Sequence, residues 1–205
     1  MMLERFVATA ITATTRLLTG AQARWVGCAP LDTHRIYFAN HTSHVDFLLI
    51  WAALPSRLRK KTRPVAALDY WSRGSVRRYL IRRVFCGVLV SRGHIEREYN
   101  PIDVMRQALG GGASLILFPE GTRGPGGDVQ PFKPGLYHLA VARPDVELVP
   151  VWIDNSYRVM PKGLPLPIPL LCSVAFGKAV RLEPGEHKPE FLARMRQLVI
   201  ELGKA

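Results

Sequence analysis

Apolar positions along this chain fall into short blocks of two kinds. "RIYFAN" (35–40), "SLILFP" (114–119), "VELVPVWI" (146–153) and "CSVAFG" (172–177) are nearly unbroken apolar runs, the pattern of strands buried on both faces. "RPVAAL" (63–68) and "GVLVSR" (87–92) read as shorter strands. Between them lie helical stretches. Residues 2–19 read as a helix closed by Gly20, and "HVDFLLIWAAL" (44–54) as one ended before Pro55. "YWSRGSVRRYLIRRVF" (70–85) reads as a helix with a basic side, and "NPIDVMRQALGGG" (100–112) has proline near its start and glycines at its end. "PGLYHLAVAR" (134–143) and "KPEFLARMRQLVIELG" (188–203) complete the set. Strands alternating with helices predict an α/β fold: a single-domain sandwich whose mostly parallel or mixed central sheet is flanked by helices. Ligands of such sheets sit beyond the carboxyl ends of the strands. The junctions at 40–46, 91–97 and 119–127 are therefore where chemistry is expected.

The chain of 205 residues suffices for one domain with a full core, and neither a repeat nor a low-complexity tract is apparent. Its 28 Lys and Arg exceed its 16 Asp and Glu by 12. Such a surface attracts nucleic acid, an anionic membrane or anionic small substrates. Much of the excess lies in "RLRKKTR" (57–63) and "SRGSVRRYLIRR" (72–83), which read equally as a solvated basic face or an anion-facing one. Three scattered cysteines, Cys28, Cys86 and Cys172, form no CxxC and suit a reducing compartment.

The N-terminal stretch, residues 1–25, is interrupted by Arg16 and diluted by threonines, so a transmembrane helix is not expected. "AQA" (21–23) fits a cleavage pattern, but Glu4 offsets Arg5 and the apolar core is weak for a signal peptide. An amphipathic helix lying on the domain or in a membrane interface is the expectation, with the main domain over 26–205.

At the first junction, "FANHTSHVDF" (38–47) sets two histidines and an aspartate close together. On one helix, His41 and Asp46 would stand about 140° apart and not share a face. They meet only if His41 precedes the helix and Asp46 lies in its first turn. Ser43 and Asp46 match the S-x-x-[DE] capping box, which favours that placement with Ser43 as N-cap. A helix terminus there opposes protonation of the imidazole and favours a developing oxyanion. Spacing alone leaves three readings open: a helix cap, a base with its orienting acid, or a metal site of His41, His44 and Asp46.

The second junction, "LILFPEGTRGPGG" (115–127), runs from a buried strand into a glycine-rich turn. Arg123 offers a forked donor for phosphate, while Glu120 is able to hold that arginine or bind a substrate hydroxyl. A surface turn with a local Glu–Arg pair is the bland alternative. Arg92, which ends "GVLVSR", and Lys133, in "PFKPG", are weaker signals of the same kind.

Together these stretches carry a resemblance. "NHTSHVD" (40–46) resembles the N-H-x4-D box of the glycerolipid acyltransferases, and "FPEGTRG" (118–124) is similar to their F-P-E-G-T-[RS] box. "GVLVSR" (87–92) and "LVPVWI" (148–153) resemble their looser intervening and later blocks, in the same order. The resemblance spans roughly residues 35–155 and is greatest to the 1-acyl-glycerol-3-phosphate (lysophosphatidic acid) type. It implies a glycerol-3-phosphate acyltransferase-like fold. The implied reaction is transfer of a fatty acyl group from acyl-CoA or acyl carrier protein to the hydroxyl of a lysophospholipid, most simply giving phosphatidic acid. His41 would be the general base and Asp46 its orienting partner. Arg92, Glu120, Gly121, Thr122 and Arg123 would hold the phosphate-bearing acceptor.

The chemistry agrees, since a hydroxyl becomes a good nucleophile only as a base takes its proton. A thiolate leaves readily, so neither metal nor cofactor is expected beyond the thioester co-substrate. Cys86 or Ser43 would serve a covalent acyl-enzyme, but neither lies in a nucleophile elbow, and direct transfer is the expectation. The chain lacks the transmembrane segments many members carry. Attachment to an anionic membrane is then expected from residues 2–19, the basic stretches and "MPKGLPLPIPLL" (160–171), which reads foremost as a packed extended loop. That places the protein in the cytoplasm, peripheral on the inner face of the cell membrane. The alternatives are a basic membrane- or nucleic-acid-binding module without catalysis and a metal-dependent hydrolase using His41, His44 and Asp46. Aromatics are not interleaved in the basic runs as a platform for stacking bases would need, so no nucleic-acid partner is expected.

Overall fold

Strands and helices alternate along the chain largely as the apolar blocks predict. The computed structural model describes residues 2–43, 45–91, 100–124, 128–155 and 171–204. Its strands are β1 (Gln22–Trp25), β2 (Arg35–Ala39), β3 (Thr62–Ala67), β4 (Val88–Val90), β5 (Ser114–Leu117), β6 (Glu147–Ile153) and β7 (Ser173–Phe176). Among the described residues they form one seven-stranded sheet in the order β1-β7-β6-β2-β5-β3-β4. The five strands from β6 to β4 are mutually parallel, and β7 pairs antiparallel to β6 while β1 runs parallel to β7. The central position of β2 is fixed by pairing with β5 on one side (Ile36 with Leu115) and β6 on the other (Ile36 with Leu148).

Both faces of the sheet are covered, which is why its strands read as continuous apolar runs. Tyr37, Ala39, Ile116, Val149 and Val151 pack on one face with Ile11 of α1 (Met2–Thr19), Leu49 and Ile50 of α2 (Asp46–Ala53) and Ile81. Ile36, Phe38, Leu115 and Leu148 point the other way. They meet Met105 and Leu109 of α6 (Pro101–Gly110), Leu136 and Leu139 of α7 (Gly135–Ala142), and Phe191, Met195 and Val199 of α8 (Lys188–Leu202). The three α8 residues recur every four positions, one buried stripe of an amphipathic helix.

Three expectations need correction. Gln22–Trp25 is a strand of the sheet, paired with β7, rather than part of the helix expected over residues 1–25, which ends at Thr19. Its residues are alternately exposed and half-buried at a sheet edge, too short a pattern to register as periodic. The single helix expected over 70–85 is broken into α4 (Leu68–Trp71), α5 (Ser75–Tyr79) and a π-helical turn (Leu80–Val84). Gly74 interrupts it with φ +80° and ψ 152°, a conformation that glycine adopts without steric cost. The π turn closes through Phe85 N–H to Leu80 O at 2.9 Å and brings Ile81 against Gly87, where a Cβ would collide with it. The third correction is a short helix, α3 (Ser56–Arg59), that the sequence does not announce.

The N-terminal helix forms as expected and ends at Gly20 (φ +57°). Its threonines are accommodated because Thr9, Thr12 and Thr19 turn their hydroxyls back to the carbonyls of Arg5, Ala8 and Thr15. Among the described residues no helix is long and apolar enough to cross a membrane. Of the proline-rich stretch 160–171, only Leu171 lies within the described residues.

Candidate active site

The site is built where β2 leaves the sheet. Asn40 is buried, and its side-chain amide donates to Ile153 O (3.0 Å) and accepts from Ile153 N–H (2.9 Å). Its side chain thus extends the β2–β6 ladder one step beyond the Ala39–Val151 pair. The backbone is thereby released to turn while its edge stays satisfied.

His41 follows at once. Its Nδ1 lies 2.8 Å from Asp46 Oδ2, and the ring stacks on Phe118 with centroids 4.2 Å apart. Asp46 is fully buried and its Oδ2 also accepts the N–H groups of Thr42 (2.7 Å) and Ser43 (2.8 Å). A carboxylate that already gathers donors on one oxygen takes the Nδ1 proton, so Nε2 is left as the acceptor. The imidazole is 20% exposed, and Nε2 has no hydrogen-bond partner among the described residues.

The capping expectation is half met. Asp46 reaches back to the Ser43 amide, as the box requires, but Ser43 does not cap the helix. The helix begins at Asp46 with Val45 in the cap position, and the Ser43 hydroxyl only accepts Val45 N–H at 3.5 Å. Three donors drawn to one carboxylate oxygen tighten residues 41–43 into a turn, and the regular helix starts after it. Asp46 is therefore the hub of the turn more than a helix cap. Ser43 is buried and Cys86 is exposed, at φ +48° after the π turn. Among the described residues neither bonds to the imidazole.

The glycine-rich corner closes over the same turn. Glu120 is 4% exposed, and its Oε1 accepts His41 N–H (2.7 Å) while its Oε2 accepts Gln130 N–H (2.9 Å). Gly124 N–H donates to His41 O at 2.9 Å. Burial pushes the Glu120 carboxyl above its ordinary range, partly offset by the two amide donors. Gly121 has φ +72°, and a Cβ there would fall 2.7 Å from Lys133 Cδ and 2.8 Å from its Nζ, so the lysine side chain lies across the corner. Lys133 is held there by its own N–H to Pro119 O (2.8 Å). Thr122 and Arg123 are exposed on the same turn. Beside it, a cleft lined by Asn40, Thr42, Glu120, Asp128, Trp152 and Asp154 opens between the ends of β2 and β6.

Of the residues singled out from sequence, His41, Asp46 and Glu120 meet directly, while Gly121, Thr122 and Arg123 lie on the adjoining corner. Arg92 and His44 lie outside the described residues. Asn40 and Phe118 were not singled out, although both stand inside the two boxes; Gly124 was expected only to let the backbone approach closely, and its N–H bonds the His41 carbonyl. Gln130 was missed because it acts through its backbone, which leaves no trace in residue type.

The family model described as Acyltransferase matches residues 21–154. A 1-acyl-sn-glycerol-3-phosphate acyltransferase of Cocos nucifera is 31% identical over 168 residues, covering 70% of this chain and 50% of its own. One from Haemophilus influenzae is 26% identical over 130 residues, covering 60% of this chain and 49% of its own. The chain thus spans about half the length of the curated relatives it matches. The crystal structure of the 1-acyl-sn-glycerophosphate (LPA) acyltransferase PlsC from Thermotoga maritima superposes with a TM-score of 0.74 at 22% identity, over 98% of this chain and 80% of that one, and shows a shared fold. With the family model spanning both boxes, from β1 to the end of β6, the chain belongs to the glycerolipid acyltransferase family.

Proposed function

We propose that the protein transfers a fatty acyl group from acyl-CoA or an acyl carrier protein thioester to the hydroxyl of 1-acyl-glycerol-3-phosphate, giving phosphatidic acid. The observation that carries this reading is the His41 Nδ1–Asp46 Oδ2 pair at 2.8 Å, with Nε2 unpartnered among the described residues. Nε2 takes the hydroxyl proton as the oxygen attacks the thioester carbonyl. The new C–O ester bond forms, the C–S bond breaks, and the thiolate leaves and regains the proton from the imidazolium. Asp46 keeps the tautomer and stabilises the imidazolium while it exists. This step requires no metal and no cofactor beyond the thioester.

The acceptor's phosphate is assigned to the glycine-rich corner, where Arg123 supplies a forked donor beside Gly121 and Thr122, with Arg92 as a further partner. The protein is assigned to the cytoplasmic face of an anionic membrane. In support, Met2 (88% exposed), Phe6 (72%) and Leu17 (86%) lie within about 60° of one another on the outer face of α1. Arg77, Arg78, Arg82 and Arg83 are exposed on the neighbouring α5 and π turn. Near such a surface each cation adds about 1 kcal/mol.

The test incubates purified protein with labelled acyl-CoA or acyl carrier protein against a panel of lysolipids, beside His41→Ala. The reading expects labelled phosphatidic acid with wild type and loss of transfer by roughly 10²-fold or more in the variant. Near-normal transfer by His41→Ala defeats the mechanism. Transfer only to acceptors without phosphate removes the role given to Arg123 and Arg92.

A further inference from the structure

Glu120 is the residue whose surroundings fit least with contact to a substrate. It is 4% exposed, and both its oxygens are committed to backbone amides, those of His41 and Gln130. Each oxygen keeps a lone pair, but at 4% exposure an acceptor hydroxyl has little room to reach it. Its neighbours in the chain hold the same residue from other sides. Phe118 lies flat against the imidazole, and Gly124 N–H bonds the His41 carbonyl. One loop thus grips the base at its amide, its carbonyl and its ring.

Resting on the acyl-transfer reading above, we propose that Glu120 is a positioning residue: its carboxylate spans the amides of His41 and Gln130 and so sets where Nε2 stands, without touching the acceptor. The geometry supports this in two ways. His41 lies outside regular structure, between the end of β2 and the start of α2, so no ladder or helical bond fixes its peptide. The bonds from Glu120 and Gly124 take that place. An ionised acceptor is also stronger than a neutral one, which suits a brace that must hold against thermal motion. The glycine-rich box then has two parts with separate tasks. Phe118, Glu120 and Gly124 mould the base, and Gly121, Thr122, Arg123 and the overlying Lys133 remain to face an anion. An error of about 1 Å in placing a catalytic group costs up to about 10²-fold in rate, so a brace of this kind shows in kcat.

The test is steady-state kinetics of Glu120→Gln and Glu120→Asp in the full chain with 1-acyl-glycerol-3-phosphate, alongside wild type and His41→Ala. Glutamine keeps the length but offers one acceptor oxygen, and aspartate keeps the charge but is too short to span both amides. Positioning expects both variants to lose at least about 10-fold in kcat, with KM for the acceptor within about 2-fold of wild type. Aspartate should do no better than glutamine, because reach rather than charge is what is lost. A KM raised 10-fold or more in either variant assigns Glu120 to the acceptor and overturns the proposal, as does a kcat near wild type. Should one variant fail to fold, the other decides by the same criteria. If wild type transfers no acyl group, or His41→Ala transfers it normally, the acyl-transfer reading itself has failed. A His41-dependent enzyme with an altered KM in the Glu120 variants refutes the positioning role alone.

Discussion

Arg16 of the N-terminal helix holds the carbonyl oxygen of Ala52, with Nε at 3.0 Å and Nη2 at 2.7 Å. Ala52 lies in the last turn of α2, the helix whose first residue is Asp46. The arginine that breaks the apolar pattern of α1 is thus the clamp that ties α1 to the helix that begins at Asp46. Arg59 adds a second tie, donating to the Thr12 hydroxyl at 3.1 Å while lying over the Trp51 ring.

Arg16→Ala removes two charged donors from a helix C-terminus. The expected loss of stability is about 1.5–3 kcal/mol, read from denaturant unfolding. An unchanged midpoint would mean that α1 is not coupled to the domain through this contact.

Asp46→Asn keeps the size of the side chain but not its charge. The amide is able to accept from the Thr42 and Ser43 amides, so the turn is retained, but it stabilises an imidazolium poorly. A fall in kcat of about 10²–10⁴-fold is expected, with KM for the acceptor little altered and unfolding close to wild type. A variant with full kcat would remove Asp46 from the mechanism.

Glu120 gives a pH dependence of defined sign. Burial raises its carboxyl above the ordinary value of 4.5. Between 4.5 and its folded value, the folded chain holds a proton that the unfolded chain has lost. Its contribution to stability is therefore fully present below 4.5 and is lost as pH rises through the folded value. The difference in unfolding free energy between wild type and Glu120→Gln should fall with rising pH across that window and be flat above it. Protonation also takes an acceptor from His41 or Gln130, so wild-type activity should decline on the acid side of the same window. A difference that rises with pH would contradict the raised carboxyl.

Phe6→Asp combined with Leu17→Asp places two charges on the exposed stripe of α1 without touching its packed face. Co-sedimentation with vesicles containing anionic phospholipid should drop by at least 10-fold, since each aspartate removes an apolar side chain and adds repulsion. Turnover of a dispersed short-chain acceptor should stay within about 2-fold of wild type. Undiminished vesicle binding would move the membrane contact elsewhere.

What the sequence determined by itself was the layered α/β architecture, the N-terminal helix and the two junctions where the chemistry gathers. These were legible because burial on both faces leaves continuous apolar runs, and because Gly, Pro and Asn punctuate them. For His41 and Asp46 the spacing fixed only the condition for contact, a helix start between them, and left a cap, a base with its acid and a metal site all open; the 2.8 Å contact belongs to the structure. Tertiary structure alone decided the rest. It broke the helix expected over 70–85 at Gly74 and drew Gln22–Trp25 into the sheet, through partners more than a hundred residues away in the chain. It also set Glu120 against the amides of His41 and Gln130, and Asn40 against the backbone of Ile153. Sequence shows which side chains are present and how they repeat. It does not show which peptide groups are left without a partner when strands end, and at this site those amides and carbonyls determine what each polar side chain holds.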